Sequence, residues 1–593
     1  MTRRGLLRLL TLAASLPGAL VAWLRSAFSG AALLPVAAQT AAQAATSEGV
    51  SYRDLLPKIR AAFPSPFVDP AADRSFAEHI DRGLAHLNRL KQGRLYLGTR
   101  GTIDYAKART ARIGDRMSTT ESTIESLAHF FEGLILWSHP DTRRLHGGAT
   151  SASIIGQLYA AVYDPNLVWD DLSERVAEAE VEVAAIGAGL IGLDPARAAG
   201  VFTFGGSGTT LYGVKIGIEK AQRGAFQDGV RAPMKIFASE VAHYAKVTAA
   251  AWLGLGADAV VDVKTDANSS MDMGALEAAL RQAIEKKERI ACIIATLGTT
   301  DAFGLDDVTA IVALRDRLAR EYELDYVPHI HADSVIGWAY AVFDGYDFAA
   351  NPLGIPKDGL DDIAAIQTRV AGLSLVDSAG LDFHKSGYAP YMSSLFLVRD
   401  QKDFSLIARD KKEIPYLFQF GKYEPGIYTL ECSRSGGPVL AALANLRLLG
   451  KEGYRVLLAH SVAIATLLRE RVAKLPHLVV SSQGDHGCVV VLRPYPDGVD
   501  AKAAFAAEAN DPQQRDRLRA GNDYVQKVYM ETRKLADRGD GAVFVLTTEQ
   551  RLSAYGEPIA GIKCFTYSAF SDDGCVDRAL ACIEKARQIV AKA

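Results

Sequence analysis

The sequence predicts an α/β protein: a large, mainly parallel sheet followed by a smaller α+β domain. Two observations predict the sheet and a third predicts the second domain. Between residues 200 and 400, short apolar stretches of strand length alternate with amphipathic stretches of helix length, the pattern of parallel strands joined by helical crossovers. Ligands bind such sheets beyond the carboxyl ends of the strands. The polar residues that end the apolar runs fall at those places: Ser239 to His243, Thr296 to Thr300, Asp333, and His384 with Lys385. After Ser435-Gly436-Gly437-Pro438 the alternation stops, and two long helices, short strands and a closing helix follow.

Taken in order, residues 1 to 48 differ from the rest. Arg3 and Arg4 precede an apolar stretch from Leu9 to Leu24, and an Ala-rich tract runs from Ala31 to Ser47. This reads as an export leader of the twin-arginine type or as a plain N-terminal extension. The expectation is a cytoplasmic protein, with folded export through Arg3 and Arg4 as the alternative. Residues 49–150 form a helical segment, with helices expected over Ser51 to Phe63, Phe76 to Leu90 and Thr119 to Trp137. The large domain is expected over 151–438. It opens with a turn at Tyr163 to Asn166 and a helix over Ser173 to Leu190. Gly200 to Gly208 reads as a glycine-rich turn and Leu211 to Arg223 as a helix. Strands are expected at Lys235 to Ser239, Ala259 to Val263, Arg289 to Thr296, Val327 to Ala332 and Ser393 to Val398. Helices are expected over Ala242 to Leu253, Met273 to Lys287 and Asp306 to Tyr322. Asp344 to Arg369 reads as an inserted lid or surface segment. The small domain spans 439–593, with helices at Val439 to Leu449, Gly453 to Lys474 and Cys575 to Ala591 around four short strands.

Composition narrows the function. The chain has 593 residues, a net charge of -3 and no basic stripe, which argues against a nucleic-acid surface. Its six cysteines are scattered without a CxxC pair, so neither a structural zinc nor a disulfide framework is expected.

Four groups carry chemistry. Thr203 to Thr210 (TFGGSGTT) precedes a helix, where free amides and the hydroxyls of Ser207, Thr209 and Thr210 could meet a phosphate-like anion. His243 follows a strand end, where an imidazole can stack on a flat ring. Asp333 ends an apolar strand and needs a partner once buried; a protonated ring nitrogen is one, and a helix N-cap is the ordinary alternative. Lys385 lies between two strands beside His384. Alone it would be a solvated surface lysine. Phosphate cup, stacking histidine, carboxylate and strand-end lysine together are the parts of a pyridoxal 5′-phosphate site.

Five segments in order, TFGGSGTTLYG, SEVAHYAKVTAAAWLGLG, ATLGTTDAFGLDD, HIHADSVIGWAY and DSAGLDFHKSGYAP, with YTLECSRSGG as a sixth, make the sequence resemble the pyridoxal-phosphate-dependent group II amino-acid decarboxylases. The resemblance covers Asp164 to Gly453 best. It implies the aspartate-aminotransferase-like fold and decarboxylation of an L-amino acid to the amine and carbon dioxide through an external aldimine. The alternatives are another carbon–carbon lyase or aldolase of the same fold, or a catalytically silent homologue. By similarity Lys385 is the Schiff-base lysine, Asp333 pairs with the pyridine nitrogen and His243 stacks on the ring. Gly206, Ser207 and His384 lie at the phosphate, and Thr299 or Thr300 near the ring substituents. Tyr416, with Tyr423 as a second choice, matches a loop tyrosine that protonates the carbanion. Arg434 is an anion or interface contact. The family consists of homodimers with active sites at the subunit interface. Asp382 departs from a frequent phosphate-binding asparagine, Thr210 from an asparagine and Ser334 from an alanine.

Overall fold

The computed structural model describes residues 51–592 apart from 92–94, 483, 485 and 486. The leader reading of residues 1 to 48 falls outside them. The described residues form two compact units, 51–82 with 118–123, and 83–117 with 124–592. In the first, α1 (Tyr52–Arg60) starts at a capping box in which Ser51 and Asp54 exchange hydrogen bonds. The first part of α2 (Pro70–Leu90) follows, and His79 meets Glu121 at 3.3 Å. Helix α3 (Thr120–Ala128) ends well short of the expected Trp137, because a turn of 3₁₀ helix, His129–Phe131, closes it.

The second unit holds both sheets. Seven strands make the large one: β1 (Ala199–Thr203), β2 (Met234–Ser239), β3 (Val260–Val263), β4 (Arg289–Thr296), β5 (His329–Asp333), β6 (Ser378–Asp382) and β7 (Ser394–Val398). Their order is β1-β7-β6-β5-β4-β2-β3. Pairs from β6 through β3 are parallel, and β7 runs antiparallel to both β6 and β1. The expected glycine-rich turn at 200–208 is thus half strand: Gly200 to Thr203 pair with Leu397 to Ser394. Glycine at 200 was misleading as a turn signal; a Cβ there would stand 2.6 Å from Leu397, so a small residue is needed for packing.

The strands are apolar on both faces because helices cover both. Ile293, Ile330, Ala379 and Leu381 have no exposed surface. The helices of this part are α4 (Ser151–Tyr163), α5 (Arg175–Leu190), α6 (Gly206–Ala221), α7 (Ala245–Trp252), α8 (Met273–Glu285), α9 (Val308–Glu321) and α10 (Lys357–Val370). Helix α4 had no counterpart in the sequence reading. Helix α10 overturns the expected lid: it buries Ile363, Ile366 and Val370 in the core, so the segment is structural. The long α11 (Gly437–Val472) carries a non-helical residue at Gly450, where the sequence reading divides it. The small sheet, β8 (Leu478–Val480), β9 (Val489–Pro494), β10 (Val545–Leu552) and β11 (Pro558–Phe565), has the order β10-β11-β9-β8. Helices α12 (Ala501–Asn510), α13 (Arg515–Asp537) and α14 (Asp573–Lys592) accompany it. The first two escaped the sequence reading.

All six cysteines are free. Among the described residues no helix is long and apolar enough to cross a membrane, and no cluster of ligating side chains could hold a metal.

Candidate active site

The sheet gathers the predicted residues at one edge. Asp333 ends β5 opposite Gly380 of β6, and β6 ends two residues later at Asp382, three before Lys385. Ser334 locks the two strands, its hydroxyl donating to Gly380 O at 2.9 Å. The Trp338 indole donates to Asp382 O at 3.2 Å and fixes the turn that carries His384 and Lys385.

Lys385 keeps 16% of its side chain exposed and sets Nζ 2.8 Å from Asp382 Oδ2. Burial opposes its charge, but the Asp382 carboxylate, with Asp333 behind it, holds the ammonium above its ordinary range. Asp333 is buried, and its Oδ1 has no partner. Burial pushes its carboxyl up to about 6, against the pull of Lys385.

Helix α6 starts at the same edge. Gly205 adopts a φ of 96°, open to glycine and strained for other residues. A Cβ on Gly206 would stand 3.0 Å from Val335 and 3.1 Å from Asp382. The first amides of a helix have no intrahelical acceptor, so those of Gly206 and Ser207 are offered outward, and Ser207 is exposed. Thr209 and Thr210 do otherwise than expected: both hydroxyls donate back to Gly206 O.

His243 is half-buried beyond β2, its Nδ1 accepting from the Ala245 amide at 3.2 Å. Burial first, and then the charge of Lys385, lowers its imidazole to about 4, so it is neutral. Thr299 is spent on its own loop, accepting from the Gly304 amide at 2.8 Å, which leaves half-buried Thr300 as the free hydroxyl. His384 is buried with Nε2 3.5 Å from Asp382 Oδ2.

Two candidates stand elsewhere. Arg434 is buried in an ion pair with Glu180 and donates to Phe202 O at 3.1 Å and Leu167 O at 2.9 Å. Its cation is spent inside the chain. Tyr423 donates to the same Glu180 at 2.8 Å. Tyr416 is 75% exposed, and in this chain no contact joins it to Lys385, Asp333 or Asp382.

Other site residues were missed. The Tyr391 ring lies 4.4 Å from His384 and 4.9 Å from His146, and Lys385 acts on its phenol. Tyr391 lies just past the lysine's segment and before the strand expected from Ser393, where no motif or period marks it. Asp301 pairs with Lys563 and accepts from Thr547 at 3.1 Å; both charges reach His243. Lys563 comes from β11 in the other sheet, so no local spacing could have announced it.

This set fits pyridoxal phosphate. The lone buried oxygen of Asp333 needs a donor, which a protonated ring nitrogen supplies. Lys385 offers an amine, and the start of α6 offers amides that could seat an anion. Asp382 is the departure, a carboxylate against that seat.

No family model matches the chain. It is 26% identical over 301 residues to aspartate 1-decarboxylase of Aliivibrio fischeri, covering 51% of this chain and 49% of that protein. It is 27% identical over 237 residues to L-tyrosine decarboxylase of Enterococcus faecalis, covering 37% of each. The chain thus spans about half the length, or less, of these curated relatives. Solved structures extend the likeness. The glutamate decarboxylase domain of a Vibrio parahaemolyticus diaminobutyrate-pyruvate transaminase and L-2,4-diaminobutyrate decarboxylase superposes with a TM-score of 0.69 at 16% identity, over 90% of this chain and 99% of that one. Oryza sativa TDC with PLP and tryptamine gives 0.70 at 16% identity, over 89% and 99%. By sequence the chain is similar to curated amino-acid decarboxylases, and it shares its fold with solved decarboxylase structures.

Proposed function

We propose that this protein is a pyridoxal 5′-phosphate-dependent carboxy-lyase that converts an L-amino acid to its amine and carbon dioxide. The observation that carries the reading is the meeting of Lys385, the lone oxygen of Asp333 and the start of α6 at one sheet edge. Bound there, the cofactor would supply an electron sink for the pair left on Cα when the carboxylate departs. Lys385 would carry the group through its amine. Asp333 would keep the ring nitrogen protonated, which its burial favours only if the nitrogen answers its charge. Neutral His243 would cover one ring face without adding a competing cation. Gly206 and Ser207, with His384, would hold the phosphate, and Thr300 would meet the ring substituents. The carboxylate lost from Cα is replaced by one proton, for which Tyr416 and Lys385 are the candidate donors.

The test is carbon dioxide and amine release from aspartate, glutamate, tyrosine, tryptophan, 2,4-diaminobutyrate, ornithine and lysine. Carbon dioxide from none of them, with aldehyde from a phosphorylated amino alcohol, would replace decarboxylation by carbon–carbon lysis.

A homodimer with the active site at the subunit interface is part of the proposal. An apolar row along α4 supports it: Ile154, Ile155, Tyr159 and Tyr163 are 43 to 83% exposed. Exposed Tyr416 would then serve the site of the other subunit. Sedimentation should give about twice 63.7 kDa; a monomer that is fully active would end this part of the reading. For localisation we propose the cytoplasm, with folded export through Arg3 and Arg4 as the alternative, separated by cell fractionation.

A further inference from the structure

Asp382 is fully buried at the end of β6. Its Oδ1 accepts from Ser394 Oγ at 2.5 Å, and its Oδ2 lies 2.8 Å from Lys385 Nζ and 3.5 Å from His384 Nε2. The carboxylate also abuts Gly206, the first residue of α6. A full negative charge therefore already stands beside the seat that the proposed function gives to a phosphate. Two anions so close repel strongly in a site shielded from water unless a cation answers them. Lys385 is that cation in this structure. It ceases to be available to Asp382 once its amine is committed to the cofactor.

His384 is placed to take over. Its Nδ1 lies 3.2 Å from the Ser393 amide and 3.1 Å from the Ser393 carbonyl. A neutral ring can accept from the amide; an imidazolium can donate Nδ1–H to the carbonyl while Nε2–H faces Asp382. Both charge states are thus provided with partners. In this structure burial keeps the imidazole below its ordinary range, with Lys385 reinforcing and Asp382 opposing. Withdrawal of the lysine's cation from Asp382 and arrival of an anion both push toward imidazolium. The other ionisable groups of the cluster are Asp333 on β5 and His243 after β2, both of which feel Lys385 and Asp382, Tyr391, whose tilted ring lies 4.4 Å from that of His384, and His146, which feels His384. The first turn of α6 and the start of β7 contribute only uncharged groups.

We propose that seating a phosphate at the start of α6 is coupled to uptake of one proton by His384, with Asp382 passing from Lys385 to the imidazolium as its counter-ion. This rests on the phosphate seat proposed above and makes Asp382 a positioning residue.

The test needs no turnover. In protein carrying ¹³Cε1-labelled histidine, the His384 signal is assigned by its loss in His384→Asn. In Lys385→Gln, which removes the competing cation, the His384 titration midpoint should rise by about one pH unit or more over the ligand-free wild type. It should not rise in Lys385→Gln/Asp382→Asn. Sulfate, which does not itself titrate near neutrality, should raise the midpoint of Lys385→Gln further. In the intact protein loaded with pyridoxal phosphate, His384 should already be imidazolium at pH 7.5, which covers the case of a Lys385→Gln variant that fails to fold. An unchanged midpoint, or a rise that survives Asp382→Asn, overturns the counter-ion exchange. A midpoint that rises in Lys385→Gln but ignores sulfate overturns the phosphate seat and the coupling to it, while the exchange itself stands.

Discussion

Asp333 and Lys385 stand at the carboxyl ends of adjacent parallel strands, close enough for each charge to act on the other. Between them sits Asp382, ion-paired to the lysine at 2.8 Å. One ammonium thus answers two buried carboxylates, and the ligand-free site carries excess negative charge. That imbalance underlies the first two predictions.

Removing the lysine alone should destabilise the ligand-free protein. Lys385→Ala leaves Asp382 buried beside a lost partner, at a cost of about 2–3 kcal/mol given the residual exposure of the lysine. Lys385→Ala/Asp382→Asn should recover half or more of it. Paired denaturant titrations at pH 8 measure both. The Lys385→Ala protein should also lack the near-visible absorbance band that the wild type gains with pyridoxal phosphate; a band that persists would mean that another amine carries the group.

Asp333 should make ligand-free stability fall as pH rises. Its folded carboxyl titrates at about 6, above the ordinary carboxylate value, because burial disfavours its charge. The stability linked to it is fully present below about pH 4 and is lost as pH rises through about 6. Asp333→Asn should therefore be about 2–3 kcal/mol more stable than the wild type at pH 8, with the gap closing toward pH 4. Pyridoxal phosphate should reverse the order, because the ring nitrogen then answers the charge. Thermal melts with and without cofactor across this range are the check.

Arg434 should prove structural. It and Glu180 are both buried and joined by an ion pair to which Tyr423 adds a hydrogen bond. Arg434→Ala should cost about 3–5 kcal/mol by stranding Glu180. Among substrates still turned over, the preference between acidic and aromatic amino acids should not change. A selective loss of aspartate or glutamate turnover in the surviving folded protein would return Arg434 to the substrate site.

Tyr416 and Tyr423 should separate cleanly. Tyr416→Phe touches an exposed side chain and should leave the melting temperature unchanged while lowering kcat about 100-fold if it delivers the proton. Tyr423→Phe removes a buried hydrogen bond to Glu180 and should cost about 1 kcal/mol with kcat little changed. Equal kcat for Tyr416→Phe and the wild type would pass the proton to Lys385 or another acid.

Much of this site was legible because each of its parts ends a strand. An apolar run stops where the backbone leaves the sheet, so Asp333 and Lys385 stood out as polar residues at the close of buried runs. The same logic failed at the edges. Gly200 read as a turn residue although it lies in a strand, and α10 read as an inserted lid or surface segment because it lengthens the stretch between Asp333 and Lys385, although its apolar face packs into the core. Tyr391 and the Asp301–Lys563 pair could not be found by spacing, since side chains that meet by packing leave no period in the chain.

The class of fold, the strand-end lysine and carboxylate, the glycines at the start of α6 and the unusual aspartate at 382 are all written in the sequence. Those are properties of short segments, set by hydrophobic period and backbone freedom. Tertiary structure alone decided which charges face one another. It gave Asp382 to Lys385, shut Arg434 onto Glu180, turned Thr209 and Thr210 back onto Gly206, and brought a lysine of the second sheet toward His243. The physical reason is distance: electrostatic partners are chosen across a few ångströms of space, and the sheet order that sets those distances joins residues far apart in the chain.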